Sequence, residues 1–184
     1  MLISPRISRG TDVVETPRLL MNRPTLADFE DSHAMWRLQE VARFTIGRPS
    51  TQEESWTRIL KYVGHWDLLN FGYWIVRERD SGRFVGEVGF ANYQRDIVPR
   101  LGDRPEIGWV LTPSSHGRGY ATEAARAALT WAARNLRDEP TVCVISPENL
   151  PSLRVAEKLG YTEFCRTRYR DSETILLERF AGVP

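Results

Sequence analysis

Alternation of apolar and polar positions predicts two neighbouring strands in the first half of the chain. The segments 71–79 and 83–93 are rich in β-branched and aromatic residues. Residues 80–82, with the sequence Asp-Ser-Gly, separate them and form a typical hairpin turn. We therefore expect the two strands to pair antiparallel.

Helical spacing dominates the region before this hairpin. A short strand at 19–22 precedes two predicted helices, which begin near Thr25 and Thr51, and residues 44–49 connect them. We interpret His33, on the first helix, as a packing residue. The side of the second helix that we expect to be buried consists of Trp56, Ile59, Leu60 and Val63.

The second half of the chain is organised around a strand, a glycine turn and a helix. An apolar strand at 106–111 is followed by the sequence Ser-His-Gly-Arg-Gly-Tyr at 115–120. Gly117 and Gly119 let a ligand approach the backbone closely, and the first helical turn directs free N–H groups outward. The pattern is typical of phosphate binding, although a simple turn with an N-cap has the same sequence signature. The small apolar residues that would pack this helix on a sheet are Ala121, Ala125, Ala128, Leu129 and Ala132.

The remaining pattern completes a sheet. The segment 141–146 is apolar on both faces, and because it follows a helix it should run parallel to the strand at 106–111. Asn149 caps the next predicted helix, and the segments 161–170 and 173–180 close the sheet as a second hairpin.

Three separated motifs resemble the GCN5-related N-acetyltransferases (GNAT). Residues 114–119 resemble motif A, Q/R-x-x-G-x-G/A, with Ser114 at the leading position. Residues 149–161 resemble motif B, N-x-x-S-x-x-v-x-e-K-x-G-F/Y. Residues 15–20, Glu-Thr-Pro-Arg-Leu-Leu, look like the first strand of the RimJ/RimL-type branch, which acetylates protein N-termini and other amines. The similarity extends from about residue 15 to about residue 180.

This resemblance implies an α+β (α/β) GNAT fold. Its central sheet would be mixed and mostly antiparallel, with a splayed parallel strand pair and helices on both faces. Acetyl-CoA would be the donor, its pyrophosphate at the glycine turn and its pantetheine arm along the strand at 106–111. The residues implied in cofactor binding are Trp109, Val110, Leu111, His116, Gly117, Arg118, Gly119, Tyr120, Ala121, Thr122, Asn149 and Ser152. Those implied at the acceptor site are Trp36, Phe44 and Glu87.

Acetyl transfer to an amine needs a base and donors for the developing oxyanion. We expect Glu106, at the start of the central strand, to act as the base, and an N–H near Val110 to face the thioester oxygen. A structural ion pair of Glu106 with Arg104 or with an arginine of a neighbouring strand is the alternative, and Glu87 is a second candidate base. Many members of the family carry a tyrosine acid at the position of Ala156. We favour a thiolate that leaves without an acid, because a thiol pKa lies near ~8.5.

Composition limits the remaining classes. A chain of 184 residues with a net charge of +1 suits one domain, which we place at 15–184 after a disordered leader at 1–14. Neither nucleic acid nor a membrane is an expected partner. Two cysteines are too few for a disulfide framework or a zinc site, which favours a cytoplasmic protein without a bound metal. A homodimer is compatible with the family.

Two other functions remain open. A non-catalytic acyl-CoA sensor would retain the glycines but need no base, and the substitutions at Ser114 and Ala156 permit it. A nucleotide-phosphate-binding protein would bind ATP at the turn. The Lys-Ser/Thr pair of a P-loop is missing after the second glycine, and so is the third glycine of a dinucleotide motif.

Overall fold

The structure is a computed structural model that describes residues 13–136 and 140–180. Its strands are β1 (Val14–Glu15), β2 (Leu19–Asn22), β3 (Tyr73–Glu78), β4 (Phe84–Ala91), β5 (Glu106–Leu111), β6 (Thr141–Ile145), β7 (Thr162–Tyr169) and β8 (Ser172–Arg179). Its α-helices are α1 (Phe29–Trp36), α2 (Gln39–Ala42), α3 (Gln52–Leu69), α4 (Tyr120–Asn135) and α5 (Leu150–Lys158). The strands of the described residues form one sheet in the order β1-β2-β3-β4-β5-β6-β8-β7. No described helix is long and apolar enough to cross a bilayer.

The parallel pair β5–β6 opens soon after it begins. Its register joins Glu106 to Val142, and the amide of Val142 donates to the carbonyl of Pro105 at 3.0 Å. β5 then continues to Leu111 without further pairing to β6 in the described register. The other neighbouring strands pair antiparallel. The predicted mixed sheet with a splayed parallel pair is therefore confirmed.

Helices cover both faces of the sheet. On one face α4 and α5 pack on the main core, with Ala125 and Ala128 buried against strand residues such as Val88 and Ile107. On the other face α1 contributes Met35 and Trp36 to a second cluster, which includes Ile75 and Phe84 of the sheet. This two-sided packing is the predicted arrangement, and it leaves β5 between the two layers.

The predicted helix starts are correct, but one predicted face is right only at Ile59. Thr25 and Thr51 both form capping boxes. α3, however, buries Ser55, Ile59, Tyr62 and Trp66, whereas Trp56 is 42% exposed and Leu60 is 49% exposed. Polar residues occupy the inner face because they have polar partners there: Ser55 contacts the half-buried His33, and Tyr62 contacts the buried Glu87. α2, in the segment before the connection at 44–49, was not predicted.

Both ends of the sheet add detail to the predicted order. Val14, placed in the disordered leader by sequence, pairs with Met21 in β1–β2, so its assignment to the leader is wrong. Residues 1–12 lie outside the described residues. The two predicted hairpins are present, and β8 lies between β6 and β7.

Candidate active site

The glycine turn presents bare backbone at the start of α4. Gly117 and Gly119 have φ angles of 72° and 79°, in the left-handed region that favours glycine. A Cβ on Gly117 would meet no atom within 4 Å, and one on Gly119 would come no closer than 3.5 Å, to Arg18. Gly119 is the N-cap of α4, and the first amides of a helix have no acceptor within it. The turn is therefore open and suited to an anion.

Two arginines and a tyrosine beside this turn share one carboxylate. Glu78 accepts from Arg83, Arg118 and Tyr120 at 2.7, 2.8 and 2.7 Å. The hydrogen bonds from Arg83 and Tyr120 hold the pKa of Glu78 well below its ordinary range. Arg118 and Arg18 place their guanidinium carbons 4.7 and 4.6 Å from the centre of the Tyr120 ring. Arg118 thus lies beside the turn, as predicted, and Glu78 fixes its direction.

A groove of about 1230 Å³ continues from the turn along the outer side of α4. Gly119 and Thr122 line its end nearest the turn. Its charged lining residues are four basic ones, Arg18, Arg126, Arg134 and Lys158, and two acidic ones, Glu15 and Glu123. An extended anionic ligand bound at the turn has room and positive charge in this direction.

Backbone groups of β5 alternate between β4 and the opening toward β6. The carbonyl of Pro105 points to β6, and the amide of Thr112 donates to Val85, next to β4, at 2.9 Å. Alternation along a regular strand then directs the amides of Trp109 and Leu111 into the opening. The amide of Val110, opposite Glu87 in the register, points to β4. Of the amides near Val110, those of its two neighbours therefore point into the opening, whereas the amide of Val110 itself does not.

Two side-chain contacts frame this opening. The ring of His116 lies 3.1 Å from the carbonyl oxygen of Leu111 through Nε2. Across the opening, Nε1 of Trp109 donates to Oγ of Ser152 at 3.2 Å. Asn149 accepts from the amide of Ser152 and so caps α5, as predicted. These contacts bring the ends of β5, α4 and α5 together.

Glu106 points to the face opposite α4, together with Gly108 and Val110. It is 7% exposed. Arg95, in the loop between β4 and β5, holds it in a bidentate ion pair, with Nε–Oε2 at 2.6 Å and Nη2–Oε1 at 2.7 Å. Arg104, the partner considered from sequence, pairs instead with Glu178 at 3.2 Å. A bidentate arginine uses one lone pair on each oxygen, and each oxygen keeps another.

Glu87 lies on the same face, opposite Val110, and is fully buried. Its oxygens accept from Ser32 at 2.5 Å, Trp36 at 2.9 Å and Tyr62 at 2.9 Å. Burial, and then the charge of Glu87, raise the pKa of Tyr62 well above its ordinary value, so this hydroxyl remains a donor. The carboxylate therefore joins α1 and α3 to β4.

Not every predicted acceptor residue joins this network. Trp36 and Glu87 are hydrogen-bonded to each other. Phe44 follows α2, where the guanidinium carbon of Arg43 lies 4.8 Å from its ring centre. Sequence reasoning missed Arg95 and Tyr62, which hold the two carboxylates. Tyr62 was missed because the buried face of its helix was predicted from apolar residues alone.

Comparison with known proteins identifies the family of the chain. The family model described as an acetyltransferase (GNAT) domain matches residues 18–162. An uncharacterized N-acetyltransferase of Bacillus subtilis strain 168, YnaD, is 28% identical over 148 residues, covering 80% of this chain and 81% of that protein. A Bordetella pertussis structure assigned to the GnaT acetyltransferase family is 32% identical, with a TM-score of 0.82. The match covers 91% of this chain and 98% of the Bordetella chain.

More distant structures share the fold. RimL, the ribosomal L7/L12 alpha-N-protein acetyltransferase, has been solved in complex with coenzyme A. It is 15% identical to this chain with a TM-score of 0.75, covering 91% of this chain and 97% of its own. At this identity the likeness concerns the fold.

Proposed function

Since this chain belongs to the GNAT acetyltransferase family, we propose that it transfers an acetyl group from acetyl-CoA directly to a primary amine, with both substrates bound at once. The chain is an N-acetyltransferase by family. The observation that carries the finer proposal is the splayed β5–β6 pair leading into an open glycine turn. Together they offer an edge for an amide-bearing arm and a cradle for its diphosphate.

The residues present fit acetyl-CoA. Backbone amides at 117–121 and the nearby arginines suit a diphosphate, and the groove along α4 suits the remaining anionic end. The amides of Trp109 and Leu111 face the opening and would hold the arm. When bound, acetyl-CoA supplies an activated acetyl group, whose carbonyl needs donors on a rigid strand.

Two carboxylates on the opposite face suit the amine. Glu106 is our proposed base, because it lies on β5 itself and keeps lone pairs beyond those used by Arg95. It would take the ammonium proton directly or through a water, leaving the nitrogen free to attack. Glu87, held by three neutral donors, is placed to attract a cationic acceptor.

We place the acceptor in the class of protein N-terminal or small primary amines, as in the RimJ/RimL branch. The support is the sequence at 15–20 and the acidic groups on the acceptor face. A cytoplasmic location and a homodimer stay predictions.

An acceptor screen tests the proposal. Purified protein is incubated with acetyl-CoA and a panel of N-terminal peptides, polyamines, amino acids and aminoglycosides. Free thiol and acetylated product, detected by mass, are the readouts. Product with at least one amine supports transfer. Tight coenzyme A binding without product from any amine would favour the sensor function, and ATP binding without coenzyme A binding would favour a nucleotide-binding protein.

A further inference from the structure

The hydroxyl of Tyr73 lies directly on β5, between the two acidic residues of the acceptor face. Tyr73, Gly89 and Gly108 are opposite one another across β3, β4 and β5. A Cβ on Gly108 would clash with the hydroxyl oxygen of Tyr73 and would lie 3.1 Å from Cζ of the Tyr73 ring. The glycine of the Glu-Ile-Gly-Trp sequence therefore makes room for this hydroxyl.

Several contacts fix the tyrosine in this position. Its ring stacks on that of Tyr62, with centroids 4.6 Å apart and planes 10° apart. Its backbone carbonyl accepts from Nε1 of Trp66 at 2.8 Å. The residue is 6% exposed. Its hydroxyl also shares a hydrogen bond with the hydroxyl of Tyr93. A group fixed in this way needs little reorganisation to serve as a donor.

The position is next to the predicted reaction site. Gly108 precedes Trp109, whose amide faces the splayed opening, and Glu106 and Val110 flank it on the same face. The family position for a tyrosine acid is Ala156, which is fully buried in α5 on the α4 side. Within the described residues, Tyr73 places its hydroxyl directly on this part of β5.

We propose that Tyr73 donates a hydrogen bond to the reacting thioester as negative charge develops on it. This inference rests on the proposed function. The base takes one proton from the ammonium, and the neutral amine then forms the C–N bond. As the C–S bond breaks, its electron pair passes to sulfur, and the proton that the new amide nitrogen loses goes to the thiolate, which leaves as the free thiol. Tyr73 keeps its own proton throughout. Burial raises the pKa of Tyr73 well above its ordinary value, which is consistent with a donor that stays neutral.

Tyr73→Phe removes the donor and keeps the ring. We expect kcat to fall by roughly 100-fold, the usual effect of losing one such donor, while the Kd for acetyl-CoA changes little. Tyr161→Phe is the matched control: Tyr161 is also buried, and its hydroxyl contacts Thr141 at 2.5 Å in the core. If Tyr161→Phe loses as much stability as Tyr73→Phe but keeps its kcat, the loss of kcat in Tyr73→Phe is not an effect of packing.

Gly108→Ala supplies a second measurement, of structure alone. Its methyl group should lower the melting temperature strongly in the wild-type background. The same substitution should lower it much less when it is combined with Tyr73→Phe, because the hydroxyl oxygen is then gone. Wild-type kcat in Tyr73→Phe would overturn this role while leaving acetyl transfer intact. Absence of turnover in the wild-type protein itself would overturn the proposed function, and the role of Tyr73 with it.

Discussion

Arg95 donates two charge-assisted hydrogen bonds to Glu106, of 2.6 and 2.7 Å. The arginine lies eleven residues upstream, in a loop that returns to the start of β5. Its guanidinium carbon also lies 4.6 and 5.1 Å from the ring centres of Tyr93 and Tyr169. The ion pair fixes the orientation of the carboxylate, and substituting each partner separately tests what the carboxylate does.

Glu106→Gln should lower kcat by roughly 10²–10⁴-fold, because the proton acceptor is lost, while acetyl-CoA still binds. Arg95→Gln should lower the stability about as much as Glu106→Gln does, because both substitutions break the same ion pair. It should lower kcat less than Glu106→Gln, because the carboxylate remains. The measurement is the pH dependence of kcat/KM for both variants. An unchanged pH–rate profile in Glu106→Gln would remove the residue from this role and leave it as an ion-pair partner. Glu87→Gln, assayed in parallel, tests the second carboxylate.

Valine at Gly117 or Gly119 should weaken coenzyme A binding by roughly tenfold to a hundredfold, the effect of losing hydrogen bonds to a charged group. The substituted backbone would also have to leave the left-handed region. Titration calorimetry measures the Kd. Gly102→Val is the control, because Gly102 has a φ of 64° and open space around its Cβ but lies in another loop. Equal affinity in folded Gly117→Val, Gly119→Val and control proteins would contradict the assignment of the phosphate cradle.

The hydrogen bonds of Glu54 at the start of α3 should make the stability of the protein depend on pH. Glu54 accepts from Arg48 and from the amide of Thr51, and these bonds lower its pKa from 4.5 to about 2. Because the folded pKa is the lower one, the added stability is present above pH 4.5 and is lost as the pH falls toward 2. Glu54→Gln should therefore melt below wild type at pH 7 and together with it near pH 2. A difference that persists unchanged at pH 2 would contradict this linkage.

The two cysteines should differ in reactivity. Cys143 is 2% exposed, and burial raises the pKa of its thiol far above the ordinary value, whereas Cys165 is partly exposed. A chromogenic disulfide should label one thiol in the native protein and both in denaturant. Cys165→Ser should abolish native labelling. Rapid labelling of Cys143 in that folded variant would show that β6 is more open than described.

Local signals in the sequence were sufficient for most of the fold. The Asp-Ser-Gly turn at 80–82 marked the first hairpin, the two threonine caps marked the starts of the first two helical segments, and apolar content on both faces marked β6. The buried face of α3 could not be predicted from such signals. Ser55 and Tyr62 are buried because they form hydrogen bonds with polar residues of other elements. Apolar periodicity does not contain that information.

The candidate site was predicted in part for a similar reason. The glycine turn is contiguous in sequence, so its open backbone was foreseeable. The orientation of the Val110 amide depends on which edge of β5 pairs with β4, and that is decided by the neighbouring strand. Arg95 and Tyr73 reach the site from another loop and from two strands away, and nothing in their local sequence marks those contacts.

The insertion of β8 between β6 and β7 has a consequence for synthesis on the ribosome. β7 pairs with β8, so it has no place in the sheet until residues 172–179 have left the exit tunnel. Until then β6 exposes an unpaired edge. A chain shortened to end before residue 172 would therefore lose an interior strand of the sheet and keep that edge of β6 unpaired.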